Sequence, residues 1–243
     1  MRAATLTPTQ DHGLNGTGNR LINSLPARDR RHLLDIGEPI ELARAQVLSE
    51  RGTVIRHVYF PIDSFISLVT PLDGKPVLEV GMVGKEGMLG AHLALGVPTA
   101  PLHAVVQGAG SAWRISSRAF RSELVRSPAL MRELSRYIYV LMEQFASSAA
   151  CLRFHRIDAR LARWLLMTRD RAQSDDLVVT HEFLAYMLGV RRVGITAAAG
   201  ALQRRGLISY HRGELQVLDR RGLEAAACSC YATDCESYAR LFG

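Results

Sequence analysis

The sequence predicts an α+β protein built from three successive parts: a β-rich N-terminal half, one long helix, and a helical C-terminal region that includes a β-hairpin. Three observations lead to this prediction. Short apolar runs separated by turn residues fill residues 40–116. A mainly apolar seam then recurs at spacings of three and four residues from Leu134 to His155. Residues 181–200 have the pattern of two helices joined by a tight turn.

Composition limits the class of protein. The chain has 243 residues, of which 48% are hydrophobic, so one large or two smaller packed domains are expected. No apolar run reaches the roughly 18 residues that span a bilayer, and the N-terminus lacks the apolar core of a signal peptide. We therefore expect a cytoplasmic protein with no membrane partner. The net charge of +7, carried almost entirely by arginine, favours a polyanionic partner.

The N-terminal half begins with a polar stretch, residues 1–20, that we interpret as a flexible arm. Residues 21–127 form the β-rich domain. Its clearest signal is a hairpin with Asp73-Gly74 at the tip, between the apolar runs 65–69 and 77–80. Many short strands at this spacing indicate a sandwich or a barrel.

The long helix is predicted over residues 128–155. Pro128 suits a first helical turn, where its missing N–H costs nothing, and a helix from there to about Phe154 would be some 40 Å long. Its apolar seam predicts a dimer interface with a second copy of the chain. The alternative is a single helix packed on the sheet. The seam residues chosen for the interface are Leu134, Ile138, Leu141, Phe145 and Leu152.

Residues 156–243 predict a winged helix-turn-helix domain. Gly189 falls at the turn, where a left-handed backbone conformation favours glycine. Thr180 is placed to cap the first helix, and the second helix is expected to stop at Gly206. A tight hairpin around Arg212-Gly213 follows directly and forms the wing. In such a unit the second helix lies in the major groove of duplex DNA.

The arginines of this domain suggest how DNA would be contacted. Arg191 and Arg192 begin the second helix, where arginine can bond guanine O6 and N7. Arginines farther on are better placed for phosphates, which position the protein without specifying sequence. The alternative for each arginine is an ordinary solvated charge. The predicted DNA-binding residues are Thr180, His181, Arg191, Arg192, Thr196, Arg204, Arg205 and Arg212.

Four cysteines, Cys151, Cys228, Cys230 and Cys235, are expected to be reduced thiols in a cytosolic chain. The C-terminal Cys-x-Cys-x₄-Cys cluster lacks the paired spacing of a zinc site. We interpret these residues as packing thiols, and expect no metal site and no cofactor. A redox or metal role is the alternative.

The segment THEFLAYMLGVRRVGITAAAGALQRRGLISYHRGELQVLD, preceded by the long helix and the β-rich half, resembles the CRP/FNR family of bacterial transcription regulators. The runs VYFPIDSFISLV and DGKPVLEVGMVGKEGMLG are similar to that family's cyclic-nucleotide-binding-type β-roll. The resemblance implies a jelly-roll-like sensor domain, a dimerisation helix, and a homodimer whose paired recognition helices read a two-fold symmetric site. It also implies RNA polymerase as a partner if the protein is an activator.

The same resemblance directs attention to an effector pocket. Cyclic-AMP binders of the family hold the ribose with a Gly-Glu pair and the phosphate with an Arg-Ser or Arg-Ala pair. Here Ala100-Pro101 occupies the phosphate position, and no arginine lies between residues 57 and 113. A buried phosphate would lose its strongest contacts without a guanidinium, so we expect a degenerate pocket and no cyclic-AMP dependence. The candidate effector-pocket residues are Gly84, Lys85, Glu86, Gly87 and Gly90.

Two other cofactors of the family, an iron–sulfur cluster and haem, would need cysteine or histidine ligands in the N-terminal half. Its oxygen-sensing branch ligates an iron–sulfur cluster with N-terminal cysteines, and residues 1–150 contain none. Haem stays open, with His57, His92 and His103 as candidate axial ligands, although each is more often an ordinary histidine.

No P-loop, nucleophile elbow, Ser-His-Asp arrangement or paired metal ligands are apparent, so an enzyme with catalytic residues is not expected. The sequence predicts a sequence-specific DNA-binding transcription regulator that acts as a homodimer. The alternative is a sensor of a nucleotide or cyclic dinucleotide with ancillary DNA binding. The small-molecule effector is not identified by the sequence.

Overall fold

The computed structural model describes residues 16–72 and 75–242. Most of the predicted arm, residues 1–15, and the predicted hairpin tip Asp73-Gly74 lie outside them. The N-terminal half contains two antiparallel sheets, with strand orders β1-β7-β3 and β2-β6-β4-β5. Their strands are β1 (Glu38–Leu42), β2 (Val47–Ser49), β3 (His57–Pro61), β4 (Phe65–Leu72), β5 (Lys75–Val83), β6 (His103–Gly108) and β7 (Gly110–Ser116). The pairing of β4 with β5 confirms the predicted hairpin.

Helices flank these sheets and form the C-terminal domain. They are α1 (Arg20–Asn23), α2 (Ala27–Asp35), α3 (Ser117–Arg126), α4 (Pro128–Phe154), α5 (Ile157–Ala172), α6 (His181–Leu188), α7 (Arg192–Arg204), α8 (Arg220–Ala226) and α9 (Cys230–Phe242), with a 3₁₀ helix at Ala91–Leu95. A third antiparallel sheet has the order β8-β10-β9. Its strands are β8 (Asp176–Val178), β9 (Ile208–His211) and β10 (Glu214–Val217). None of the helices within the described ranges has the length and hydrophobicity needed to cross a bilayer.

The predicted arm is anchored before residue 20. Asn19 is fully buried, caps α1, and donates its side-chain amide to the carbonyl oxygens of Pro61 and Gly87, both at 2.9 Å. The indole of Trp113 also donates to the carbonyl oxygen of Thr17. Residues 17–20 of the predicted flexible arm are therefore anchored to the β-rich domain, because one buried amide bonds the carbonyl oxygens at the end of β3 and in the turn after β5.

The helix α4 has the predicted bounds, with the Ser127 hydroxyl accepting from the Leu130 N–H and Pro128 in the first turn. The predicted seam, however, faces its own chain. Leu134 is fully buried in the core under the β-rich domain, and Ile138 and Leu141 pack against the same core. Phe145 packs against the second sheet, and Leu152 lines a small cavity between α4, α5 and β5. All five residues therefore contact their own chain, although only Leu134 is fully buried and the other four are half-buried in the single protomer.

The exposed face of α4 lies one residue farther along. Tyr139 and Met142 are 51% and 63% exposed, and Ala146 and Ala149 continue the same face. Steps of three and four residues therefore recur in this register too. A shift of one residue rotates a helical position by about 100°, because a turn contains about 3.6 residues. The five residues that the sequence pattern selected contact the same chain, whereas the residues one position farther along are exposed.

The β-rich domain and the C-terminal domain share one hydrophobic core. Val69 of β4 and Met82 of β5 belong to the same buried cluster as Leu161 and Leu165 of α5. A buried ion pair crosses the same boundary, with Arg171 Nη2 lying 2.7 Å from Glu86 Oε1. The two parts are therefore packed on each other.

A polar contact crosses this boundary as well. The indole N–H of Trp164 donates to Oε1 of Glu79 at 2.9 Å, while Glu79 Oε2 is buried without a hydrogen-bond partner among the described residues. Burial raises the pKa of Glu79 to about 7, although hydrogen bonds from Ser67 and Trp164 and the charges of Arg171 and Arg163 act in the opposite direction.

We predict that the Glu79 carboxyl makes the fold less stable as the pH rises from about 5 to 8. The folded chain keeps a proton there that the unfolded chain has already released, so stability is lost as the pH approaches the folded pKa. In Glu79→Gln the amide stays neutral and still accepts from Trp164. Denaturant titrations at pH 5 and pH 8 measure the free energy of unfolding. The loss due to Glu79, at most about 3 kcal/mol, should be present in the parent protein and absent from Glu79→Gln.

Glu41→Gln, which changes an exposed carboxylate to an amide on β1, provides the control and should keep the parent's pH dependence. Equal pH dependence in Glu79→Gln and the parent protein would contradict the assignment to Glu79.

Candidate nucleic-acid interface

The turn between α6 and α7 has the conformation that the sequence predicts. Gly189 ends α6 with φ +61°, a left-handed value, and its N–H returns to the carbonyl oxygen of Tyr186. The position also has no space for a side chain, since a Cβ there would lie 2.8 Å from Leu78 of β5. Thr180 caps α6 as predicted, its hydroxyl accepting from the Phe183 N–H at 3.1 Å. The turn is therefore fixed by backbone conformation and by contact with the β-rich domain.

The second helix, α7, buries one face and exposes the other. Ile195, Ala198 and Leu202 are buried in the shared core, while Thr196 and Ala197 are exposed. Gly194 lies at the contact with α5, where a Cβ would lie 2.9 Å from Ile157. This glycine therefore permits the close approach of two helices.

The wing follows α7 as predicted. Gly206, with φ +71°, ends the helix, and β9 pairs with β10 around a tip where Arg212 and Gly213 have φ +49° and +92°. A third strand, β8, adds to this hairpin, although the sequence analysis predicted only the two strands of the wing. It begins at Asp176, pairs with the free edge of β10 and turns the hairpin into a three-stranded sheet.

His181, a predicted DNA contact, is half-buried and packs within the domain. Its ring stacks on Tyr210 of the wing at 4.4 Å between centroids, and its Nδ1 shares a hydrogen bond of 3.1 Å with the Thr196 hydroxyl. Burial and the nearby charge of Arg192 lower the pKa of His181. The imidazole thus holds α6, α7 and the wing together.

The remaining predicted contact residues are exposed. Arg191 caps α7, Arg192 is its first residue, and Thr196 follows one turn later, so these three lie together at the N-terminal end. Arg204 and Arg205 lie about 18 Å away at the other end, at 1.5 Å per residue. Arg212 lies at the wing tip.

These arginines have no acidic partner. Within residues 16–72 and 75–242, none of the five predicted contact arginines forms a salt bridge. Unpaired guanidinium groups at both ends of α7 and on the wing give a positively charged surface of the kind that binds phosphates.

One exposed residue of α7 was missed by the sequence analysis. Val193 is 72% exposed in the first helical turn, beside Arg192 and on the same outer side as Thr196 and Ala197. An apolar side chain at this position can contact a thymine methyl group. Its position in the first turn of the second helix was the available signal.

The chain's own side chains pack against the glycine-rich turn that was expected to line an effector pocket. Glu86 is paired with Arg171, and a Cβ at Gly87 would lie 2.2 Å from the ring of Tyr137. The Lys85 carbonyl oxygen accepts from the Arg20 N–H, and Gly90 adopts φ +97° against Val58. These contacts leave the turn packed on α1, α4 and α5.

A larger cavity lies elsewhere, between the β2-β6-β4-β5 sheet and α6. Its volume is about 440 Å³, and its lining includes Arg44, Val69, His103 and Phe183. The five glycine-rich-turn residues do not line it. Of the three histidines considered for haem, His103 lines this cavity, whereas His57 and His92 do not.

Comparisons with known proteins agree with this architecture. Residues 159–226 match the Crp-like helix-turn-helix domain family. A search of curated proteins found no match. Among solved structures, FixK2 from Bradyrhizobium japonicum aligns with a TM-score of 0.67 at 12% identity, covering 79% of this chain and 98% of that one.

Two further solved structures give the same result. A transcriptional regulator of the CRP/FNR family from Eubacterium rectale ATCC 33656 aligns with a TM-score of 0.65 at 15% identity, covering 87% of this chain and 99% of that one. A CRP-family regulator from Thermus thermophilus aligns with a TM-score of 0.63 at 21% identity, covering 77% and 96%. Residues 159–226 are therefore a Crp-like helix-turn-helix domain, carried by a chain with the fold of the CRP/FNR transcriptional regulators.

Proposed function

We propose that this protein is a transcription regulator that binds duplex DNA as a homodimer at a two-fold symmetric site. The observation that carries the proposal is the exposed N-terminal end of α7, where Arg191, Arg192 and Thr196 lie together without an acidic partner among the described residues. Arginine at this end of a recognition helix reads guanine in the major groove. Because the target is chromosomal DNA, the cytoplasm is the compartment in which the protein would act.

The remaining positive charges fit contacts to the phosphate backbone. Arg204 and Arg205 lie about 18 Å from the base-reading end, and Arg212 lies on the wing. Contacts of this kind set position and orientation, and they release counterions, so binding weakens steeply with salt. His181 acts through its neighbours by fixing Thr196 and the wing, and so is a positioning residue.

The homodimer is supported by the exposed face of α4. Tyr139 and Met142 are large apolar side chains in water on a 27-residue helix, with Ala146 and Ala149 continuing the same face. Small residues beside large ones allow two helices to approach closely. We assign the interface to this face, in place of the register that begins at Leu134.

Selection of bound sites from a random DNA library by the purified protein tests the proposal. Two symmetry-related copies of α7 should recover an inverted repeat whose half-sites are about 10 base pairs apart, centre to centre, or a multiple of that distance. Recovery of sequences without two-fold symmetry, or of none, would overturn it.

Independence from cyclic AMP is the second part of the proposal. It rests on the glycine-rich turn, which is packed against Arg171 and Tyr137, and on the absence of arginine between residues 57 and 113. If the regulator is an activator, RNA polymerase is its further partner.

A second candidate function is the binding of a nucleotide or cyclic dinucleotide with DNA contact as an ancillary activity. The cavity beside Arg44 and His103 is the observation that favours it, since both residues bring nitrogen donors to a mainly apolar space that also holds Glu50, Ser67 and Gln107. Strong, site-selective DNA binding by the protein alone would favour the regulator.

We predict that Arg192→Ala lowers the preference for the selected site by about 1–3 kcal/mol while the dimer persists, because a paired contact to guanine is lost. Arg212→Ala should instead weaken binding to all sequences alike and reduce the salt slope by about one per chain. Fluorescence anisotropy on selected and scrambled duplexes measures both. Arg51→Ala, an exposed arginine of the β-rich domain, serves as the control, and undiminished selectivity in Arg192→Ala would remove its assignment.

We predict that Met142→Glu yields a monomer, because two carboxylates would be buried opposite each other in an apolar interface. Sedimentation velocity measures the mass. Val125→Glu places the same charge on a residue that is 89% exposed on α3, outside the proposed interface, and should leave the dimer intact. A Met142→Glu variant that still sediments as a dimer would move the interface elsewhere.

We predict that saturating cyclic AMP leaves the thermal midpoint unchanged. A ligand present at 100 times its dissociation constant would stabilise the fold by about 2.7 kcal/mol, which shifts the midpoint measurably. Differential scanning calorimetry decides the point, and a shift of that size would show that the filled turn opens to admit the nucleotide.

A further inference from the structure

Three of the four cysteines meet one histidine at the point where the long helix ends. Cys151 and His155 lie one turn apart at the end of α4, and Cys228 and Cys230 flank the junction between α8 and α9. Although 77 residues separate Cys151 from Cys228, their sulfur atoms are 3.5 Å apart. Nδ1 of His155 also lies 3.5 Å from Sγ of Cys230.

The spacing of these atoms fits a single tetrahedral ion. All four ligand atoms lie within 4.8 Å of one another. Zinc bonds of about 2.3 Å to sulfur and 2.0–2.1 Å to nitrogen, at tetrahedral angles, place sulfur atoms about 3.8 Å apart and sulfur and nitrogen about 3.5 Å apart. An iron–sulfur cluster distributes its protein ligands over two or more irons, so its ligand atoms spread farther than around one shared ion.

The surroundings of the four groups suit a metal–thiolate complex. The cysteines of the cluster are each less than 9% exposed, and no carboxylate belongs to it. Three thiolates and one divalent cation carry a net charge of −1. The buried cations Arg160 and Arg163 line the same small cavity as Cys151 and lie where they offset that charge. The guanidinium of Arg163 is held in this position by an ion pair, since it donates to the Asp234 carboxylate of α9 at 2.6 Å.

One buried N–H group beside the cluster lacks a hydrogen-bond acceptor among the described residues. Nε of Arg163 is buried and lacks a hydrogen-bond partner among residues 16–72 and 75–242. Groups around metal ligands commonly donate to the coordinating atoms and hold them in place. A metal-bound thiolate would give this buried N–H an acceptor.

We propose that Cys151, His155, Cys228 and Cys230 together bind one Zn²⁺ ion. Thiolate and imidazole ligands in tetrahedral geometry select zinc among the common divalent metals, and four protein ligands leave no open position, as in structural sites. Each thiol gives up its proton as a zinc–sulfur bond forms, so binding weakens at low pH. This site replaces the expectation of packing thiols and no metal.

The position of the ion would give it a mechanical role. His155 is the residue that ends α4, and α5, the first helix of the C-terminal domain, begins two residues later at Ile157. Cys228 and Cys230 bring the start of α9 to the same point. One ion would therefore tie the last helix of the chain to the joint between the long helix and the DNA-binding domain.

The test uses the full-length protein, reduced and reconstituted with Zn²⁺, and measures bound metal by elemental mass spectrometry. One zinc per chain is expected, with a higher thermal midpoint than after removal of the metal by a chelator. Replacement by Co²⁺ should give the intense visible absorption of a tetrahedral thiolate site. A reduced parent protein that binds no metal and shows no change in its midpoint overturns the proposal.

The ligand set is tested with a matched pair of variants. Cys228→Ser should lose the metal, whereas Cys235→Ser, the same change at the exposed fourth cysteine, should keep it. His155→Cys should retain one metal, with the cobalt absorption moved to longer wavelength by a fourth sulfur. Because His155→Cys is expected to keep its metal, a misfolded variant could not give this result. Equal zinc in Cys228→Ser and Cys235→Ser would overturn the assignment, and the result is independent of whether the protein binds DNA.

Discussion

The orientation of the recognition helix depends on one apolar contact, between the strands β4 and β5 and the helices α5 and α6. Val69 and Met82 lie in the same buried cluster as Leu161 and Leu188. Apolar burial contributes about 25 cal/mol per Å² of buried surface, whereas a buried ion pair adds little net stability. The C-terminal domain is therefore held by its packing on the sheet, and not by the two-residue connection after α4.

The polar contacts at that boundary fix the relative position of the two domains. They contribute little to the strength of the packing. A buried ion pair such as Arg171 with Glu86 adds little net stability, because desolvation offsets its attraction, but breaking it leaves a charge buried alone. The indole of Trp164 imposes a similar condition on Glu79. Sliding α5 along the sheet would leave these groups unpaired, so they fix the register of one domain on the other.

The sequence predicted those features that local chemistry determines. The bounds of α4, the Thr180 cap, the left-handed Gly189 and the wing are each set by residues within a few positions, and all were found. What it missed was decided by distant parts of the chain. The buried face of α4 depends on where the sheet lies, and β8 depends on a partner strand some 40 residues away. The stacking of His181 on Tyr210 likewise joins residues that are distant in the sequence.

The cysteine cluster also could not be predicted from local sequence, because its members meet only in the folded chain. Read in order, Cys228 and Cys230 form an incomplete metal motif, and Cys151 is an isolated thiol on a helix. Only the return of the chain from α8 to the end of α4 brings the four groups within 4.8 Å of each other. The contact between α4 and α9 that closes this arrangement also pairs Arg240 with Glu143 at 2.9 Å. Because the long helix meets its own sheet on one side and α9 on another, the Tyr139 and Met142 face is left to water in the single chain, and this is the face that the proposed dimer would cover.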